Sequence, residues 1–382
     1  MVYLKTTETC QLNCKHCFTS GSMGKRVFFN PDKVISFFHR LHEVVPVIQN
    51  GGLICFHGGE PMLAPIEDLR KVYRNCKDLW KDPHHPERNV NWSVQSNLVY
   101  KLDDEKLEFF DEVTQRKQFG TSWDSLIRFP NEKAEKLWEQ NVRKLADLGY
   151  PVTVMICLTS HSMQREPKDL IQKMIDLGVK YIAFERVTNN GSARTNESLA
   201  PGNKNLDAYF VKMWEQSIKY GFQDKVHNIL LGGIVTSFLN SSHTGERCRN
   251  CEQKIFTLNA DGTVGGCPNS AAEKPYAHID WGIMDIMYSK GRMKEIACES
   301  VRNPNCYTCE VKDICNGDCH QLAWEGDICA APKSLMKQIK ANLGSSDPAI
   351  SLKQYNELVS FQEASASGED PPAVGNSAES LL

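Results

Sequence analysis

The chain has 382 residues, enough for two domains or one large domain with an extension, and with 41% hydrophobic and 24% charged residues it has an ordinary globular composition. A formal net charge of -3 argues against a strong electrostatic footprint for nucleic acid. The longest apolar runs, such as "VTVMICL" at 152–158, are too short to span a bilayer, and "MVYLKTTETC" lacks the basic region and apolar run of a signal peptide. A cytoplasmic protein without membrane or nucleic-acid partners is the default expectation.

In chain order, strand-like runs are expected at 2–8, 53–59, 89–97, 118–124, 151–160 and 179–187. Amphipathic helices are expected near 31–49, 65–80, 103–116, 131–148 and 167–177, between the strands. Asn30-Pro31 reads as an N-cap followed by proline at the first helical position, and Gly149 and Gly178 sit where helices end. Six strand–helix alternations of about 30 residues imply a parallel sheet with helical crossovers. An open sheet and a partial barrel both satisfy the pattern, and in both functional groups gather at the C-terminal ends of the strands. Polar motifs do follow strand ends: a cysteine loop after the first strand, "GGEP" after the second, "SN" after the third, "SWD" after the fourth and "ER" near the end of the sixth. Residues 188–247 read as a turn-rich linker plus helices at 204–220 and 226–240. The end of the chain is polar and rich in Ser, Gly and Pro after about 363, as a disordered tail would be.

Fifteen cysteines in a chain of this kind point to metal rather than disulfides. Three lie at 10–17 and nine between 248 and 329, so they are clustered rather than spread. Cys10, Cys14 and Cys17 form C-x3-C-x2-C, a spacing that suits a loop, not one helical face. It admits an iron–sulfur cluster, a zinc site completed by a neighbour such as His16, or unbound thiols. "CYTCEVKDICNGDC" at 306–319 is C-x2-C-x5-C-x3-C, preceded by "CRNC" at 248–251 and "GTVGGC" at 262–267 and followed by Cys329. These eight thiols divide into two four-coordinate sites, and on spacing alone two zinc sites remain open. Cys55, Cys76, Cys157 and Cys298 are expected to be small buried hydrophobes, and Trp123 to be packing.

Cys10, Cys14, Cys17 and the following Phe18, with "HGGEP" at 57–61 and the "QSN" and "SWD" motifs, resemble the radical S-adenosylmethionine (SAM) superfamily. The resemblance implies a partial (β/α)6 barrel and a [4Fe–4S] cluster on the three cysteines, with one iron left for SAM. It further implies cleavage of SAM to a 5′-deoxyadenosyl radical that abstracts hydrogen from a substrate. Gly58 and Gly59 would let the backbone approach the SAM amino group, with Glu60 and Pro61 fixing that turn. Asn97, Ser122 and Asp124 would contact ribose and carboxylate, the backbone of His16 would meet adenine, and Phe18 would pack nearby.

The C-terminal cysteines resemble the SPASM extension of radical SAM peptide maturases, which carries two auxiliary [4Fe–4S] clusters. The resemblance assigns Cys248, Cys251, Cys267 and Cys319 to one cluster and Cys306, Cys309, Cys315 and Cys329 to the other. The implied domains are a barrel at 1–190, a helical connection at 191–247, the SPASM segment at 248–335, and a helix and tail at 336–382. The implied substrate is a precursor peptide or a protein, with an external electron donor of flavodoxin or ferredoxin type. The implied reactions are peptide oxidation or cross-linking, or oxidation of a sulfatase residue to formylglycine. In sulfatase maturases an aspartate follows the cysteine of the G-x4-C element and acts as base. Here Pro268 stands there, which favours peptide maturation and leaves Glu185 and Arg186 as candidates to line the site. The chain begins almost directly with the first strand, so no N-terminal leader-binding module is expected, and a separate leader-binding protein is a possible partner. A non-catalytic electron carrier and a zinc-stapled binding module are the other classes considered.

Overall fold

The computed structural model describes residues 1–19, 21–48 and 51–343. The expected C-terminal tail lies outside the described residues. All six expected strands form, as β1 (Val2–Lys5), β2 (Gly52–His57), β3 (Val90–Val94), β4 (Phe119–Ser122), β5 (Val152–Leu158) and β6 (Tyr181–Arg186). Between them run α1 (Pro31–Val44), α2 (Ile66–Cys76), α3 (Asp104–Thr114), α4 (Glu132–Asp147) and α5 (Pro167–Asp176). The helix starts follow local chemistry: Asn30, Asp103 and Asn131 each accept the backbone N–H three residues on, and Pro31 and Pro167 open their helices. Gly149 (φ 86°) and Gly178 (φ 77°) follow α4 and α5 as the sequence predicts.

The strands from β1 to β6 are parallel wherever they pair, giving a mixed α/β fold. With the short strands β7 (His227–Asn228), β8 (Phe256–Leu258), β9 (Thr263–Gly265) and β10 (Ala277–His278) they form two sheets, β10-β9-β8-β1-β2-β3 and β4-β5-β6-β7, joined by a parallel bridge between Gln95 and Gly120. β7 (His227–Asn228) closes the second sheet after α6 (Asn203–Tyr220) and precedes α7 (Ile229–Leu239).

The register fixes which side chains share a face, because successive strand residues alternate. Val2 and Leu4, Ile54 and Phe56, Trp92 and Val94, and Val152, Val154, Ile156 and Leu158 are buried in one apolar core with the helices. The opposite face carries Tyr3 and Lys5 of β1, paired with Cys55 and His57 of β2, then Ser93 and Gln95. Farther along it lie Ser122, Met155, Cys157 and Glu185. One face of the sheet is therefore packing and the other is predominantly polar.

The main departure from the sequence expectation lies after residue 250. Short strands β8 (Phe256–Leu258), β9 (Thr263–Gly265) and β10 (Ala277–His278) extend the first sheet, with β8 running parallel to β1. A free edge of β1 offers unpaired backbone groups, and β8 satisfies them. Helix α8 (Lys333–Leu343) then returns to α6, burying Leu335, Met336 and Ile339. No helix among the described residues is long and apolar enough to cross a membrane.

Candidate functional site

β1 ends at Lys5 and the chain continues as Thr6-Thr7-Glu8-Thr9-Cys10. This segment is zipped to the end of β2: Thr6 N–H donates to the His57 carbonyl (2.9 Å), Gly59 N–H to Thr7 (2.8 Å) and Glu60 N–H to Thr9 (3.0 Å). The glycines are required by that contact. A Cβ at Gly58, whose φ is 137°, would strike the Thr7 carbonyl oxygen, and one at Gly59 would strike that of Thr9. The close approach that demands glycine is thus to the cysteine loop itself.

Glu60 is completely buried, and its carboxylate accepts the N–H of Met62 (3.0 Å), the N–H of Asn97 (2.7 Å) and the Ser96 hydroxyl (2.9 Å). Burial pushes its carboxyl up to about 7, against those three donors. Glu60 therefore fixes the turn, as expected, and also ties β2 to the loop after β3. That loop presents Asn97, whose Nδ2 lies 3.4 Å from Cys10 Sγ and whose Oδ1 accepts from Gln11 (3.1 Å) and Val99 N–H (2.9 Å).

Cys10 and Cys14 are buried and pack together with Leu12, and Cys17 packs beside them half-buried. Burial pushes the Cys10 thiol up to about 12 and that of Cys14 to about 11, so thiolates here need a bound cation or donors. Cys10 Sγ has two nitrogen donors, Leu12 N–H at 3.3 Å and Asn97 Nδ2. Donors aimed at sulfur suit a thiolate ligand, which is how hydrogen bonds tune an iron–sulfur site. The residues present fit a soft metal–sulfur group on this loop.

Ser122 ends β4, and Asp124 follows it two residues on. Ser122 Oγ accepts from Gln95 Nε2 (3.1 Å). Asp124 is fully buried; burial would raise its carboxyl, but His16 (3.3 Å) and Arg128 (2.9 Å) hold it below the usual range. It also accepts the N–H of Cys157 (2.7 Å). His16 is thus placed by its side chain through Nε2, while its buried Nδ1 has no hydrogen-bond partner among the described residues. Phe18 lies against His57, with ring centroids 5.8 Å apart. Trp123 is buried and donates to Glu135 (2.8 Å), a packing role on the helix side.

The two residues named at the end of β6 separate. Glu185 shares the polar face with Cys157. Arg186 points the other way and forms a buried two-pronged pair with Asp318 (2.9 and 2.8 Å), so it clamps the C-terminal segment rather than lining this site. Of the four remaining cysteines, Cys55 and Cys76 are buried as expected, but Cys157 is half-buried on the polar face and Cys298 is exposed. Cys298 sits on the outer surface of a helix (Lys290–Ser300) that buries Arg292 and Glu299 instead.

In the C-terminal segment the Cys319 thiol bears on Cys267, Cys309 on Cys306, and Cys329 on Cys315. Cys329 in turn feels Cys309. Glu299 accepts the N–H groups of Cys251 (2.8 Å) and Glu252 (3.0 Å), and His320 stands between Glu252 (3.6 Å) and Glu299 (3.7 Å). Among the described residues no three His, Cys, Asp or Glu side chains converge closely enough to hold a single metal ion.

Sequence reading missed Lys5, and it saw His57 and Gln95 only as letters of motifs. The signal was available: "VYLK", "ICFH" and "NWSVQ" each alternate a packing residue with a polar or reactive one.

No family model matches the chain. Over 320 residues, 81% of this chain and 76% of the relative, it is 19% identical to a serine-type anaerobic sulfatase-maturating enzyme of Klebsiella aerogenes. Over 187 residues it is 24% identical to an uncharacterised protein of Methanocaldococcus jannaschii, spanning 48% of this chain and 60% of that protein's length. Among solved structures, anSMEcpe with bound AdoMet and Cp18Cys peptide matches with a TM-score of 0.71 at 15% identity, over 94% of this chain and 98% of that one. Streptococcus suis SuiB bound to precursor peptide SuiA matches with a TM-score of 0.57 at 14% identity, over 83% and 71%. The chain is thus similar in sequence to serine-type anaerobic sulfatase-maturating enzymes and shares the fold of anSMEcpe and SuiB. These relatives are enzymes.

Proposed function

We propose, with that similarity as the premise, that this chain is a radical SAM enzyme that modifies a residue of a ribosomally made precursor peptide. In this reading β1–β6 and their helices, residues 1–190, form a partial (β/α)6 barrel. Residues 191–247 connect it to a SPASM segment at 248–335. Residues 336–382 hold the last helix and the tail. Cys10, Cys14 and Cys17 would hold a [4Fe–4S] cluster, and the two C-terminal sets one auxiliary cluster each. When bound, cluster and SAM together supply a radical that removes a hydrogen atom from the substrate.

The observation that carries the reading is the convergence of three separate strand ends on one sulfur. The Gly58-Gly59 turn holds the cysteine loop, Glu60 holds the loop after β3, and Asn97 from that loop donates toward Cys10. Asp124 meets His16 and Arg128 near Cys14, and the His16 Nδ1, without a hydrogen-bond partner among the described residues, leaves a polar atom for a ligand.

A second reading, oxidation of a sulfatase residue to formylglycine, is favoured by the Klebsiella relatives. Pro268 opposes it, because the residue after Cys267 carries no carboxylate to take a proton. Either reaction would need an external one-electron donor. Any leader sequence would dock on this chain or on a separate binding protein.

The test is anaerobic reconstitution followed by iron, sulfide and 5′-deoxyadenosine measurement, then mass spectrometry of peptides incubated with SAM and reductant. About twelve irons per chain, as three cubane clusters require, with 5′-deoxyadenosine formed, supports the reading. An aldehyde on a sulfatase-derived Cys or Ser peptide would choose the second reading. A colourless zinc protein without sulfide would overturn both.

A further inference from the structure

The first cysteine loop is gripped from outside as well as from the end of β2. After β6 the chain makes a short 3-10 turn, Gly191–Thr195, and this turn lies on the loop. Ser192 N–H donates to the Cys17 carbonyl (2.8 Å), and Asn196 Nδ2 donates to the Lys15 carbonyl (3.2 Å). The two carbonyls stand on either side of His16. The approach requires glycine: Gly191 has φ 54°, and a Cβ there would lie 2.2 Å from the Cys17 carbonyl oxygen and 2.7 Å from Phe18 Cα.

The C-terminal segment holds the other side of the same turn. Glu273 accepts Gly191 N–H through Oε1 (2.8 Å) and the Arg194 guanidinium through Oε2 (2.5 Å). Asn190 Nδ2 donates to Gln321 Oε1 (3.0 Å), and Gln321 Nε2 donates onward to Ser270 Oγ (2.8 Å). Ser270 N–H closes on the Cys267 carbonyl (3.1 Å), and Gln321 follows Cys319 by two residues. Consecutive N–H groups of the turn, Gly191 and Ser192, thus bond to Glu273 on one side and to Cys17 on the other. A peptide fixed at one of them is fixed at the next, because only two dihedrals separate them.

We propose that Glu273 is a positioning residue for SAM. Acting through the Asn190–Asn196 turn, it fixes the backbone of Lys15, His16 and Cys17 in the form that receives the cofactor, so that the affinity of the first loop is set in part from the C-terminal segment. The inference rests on the functional reading above, with the His16 backbone against adenine, and none of the sequence motifs assigns Glu273 or the turn a role.

The experiment uses the full chain, reconstituted anaerobically, with Glu273→Ala, Glu273→Gln, Asn196→Ala and the Glu273→Ala/Asn196→Ala pair beside the parent. Lys274→Ala, at the neighbouring position outside these contacts, is the control. Iron and sulfide are counted first. SAM affinity is then titrated from the change in the electron paramagnetic resonance signal, and hydrogen exchange is followed in peptides covering the cysteine loop. Glu273→Ala and Asn196→Ala should each weaken SAM binding about fivefold, the worth of one ordinary hydrogen bond. The KM for SAM should rise by the same factor, with 5′-deoxyadenosine formation at saturating SAM unchanged. The double variant should lose little more than either single one, because both act through one element. Glu273→Gln keeps an acceptor for Gly191 N–H and should recover most of the loss. The loop should exchange faster in Glu273→Ala than in the parent. Parent-like SAM affinity in an iron-loaded Glu273→Ala chain overturns the inference and leaves the functional reading standing. Additive losses, or an equal loss in Lys274→Ala, do the same. If Glu273→Ala fails to load iron, parent-like affinity in Asn196→Ala overturns it. A parent that binds no SAM overturns the functional reading and this inference with it.

Discussion

Glu60 shows how one side chain can be legible as part of a motif while most of its partners are not. It belongs to "GGEP", yet its oxygens face three donors of the protein, two of them backbone N–H groups that cannot reverse. Glu60→Gln must turn an amide N–H toward Met62 N–H or Asn97 N–H, leaving one buried donor unmatched. That costs about 1–3 kcal/mol; thermal unfolding of the anaerobically purified chain should show the drop, and an unchanged midpoint would count against this geometry. His57 carries a pH effect of the opposite kind. Burial, and then the nearby Lys5, lower it from 6.5 to about 4. Between those values the unfolded chain binds more protons than the folded one, so stability is lost as pH falls from 6.5 toward 4. The ring keeps some solvent access, and the loss should be on the order of 1–3 kcal/mol. Denaturation midpoints at pH 7 and pH 4.5 should differ less in His57→Gln than in the parent.

At the scale of elements, the helices and the six main strands were legible because their signals are local. Asn30-Pro31 and Asn131 announce helix starts, and the buried alternation of "VTVMICL" announces β5. The strands β8–β10 were not, because segments of two or three residues are chosen by the free edge of β1, which lies some 250 residues away in sequence. Arg186 was misplaced for a related reason: its position in the chain put it at a strand end, while its direction was decided by Asp318 and the alternation of β6. Asp318→Asn would strand the Arg186 cation in a buried position. Breaking such a pair costs about 3–5 kcal/mol. The C-terminal segment should then become protease-sensitive before the β1–β6 region, and simultaneous loss of both would refute the clamp.

At the scale of the molecule, one sheet carries both cysteine groups. The cysteine loop leaves β1 at its C-terminal end, and the Cys267 hairpin pairs along the edge of the same strand. The sequence motifs group the cysteines, but only the register shows that the hairpin leading to Cys267 lies beside the strand from which the first cysteine loop leaves. The division of labour makes the two groups separable by mutation. Cys14→Ala should abolish SAM cleavage. Cys309→Ala should retain cleavage and stop product formation, as followed by 5′-deoxyadenosine and by peptide mass. Normal product from Cys309→Ala would remove the C-terminal set from the reaction. The central claim is that the Cys10, Cys14 and Cys17 loop leaves one iron open to SAM. Electron paramagnetic resonance of the reduced, anaerobically purified chain, recorded before and after adding SAM, tests it most directly. The account predicts a cluster signal whose shape changes with SAM and 5′-deoxyadenosine on further reduction; a zinc-loaded chain, or a cluster signal indifferent to SAM, would contradict it.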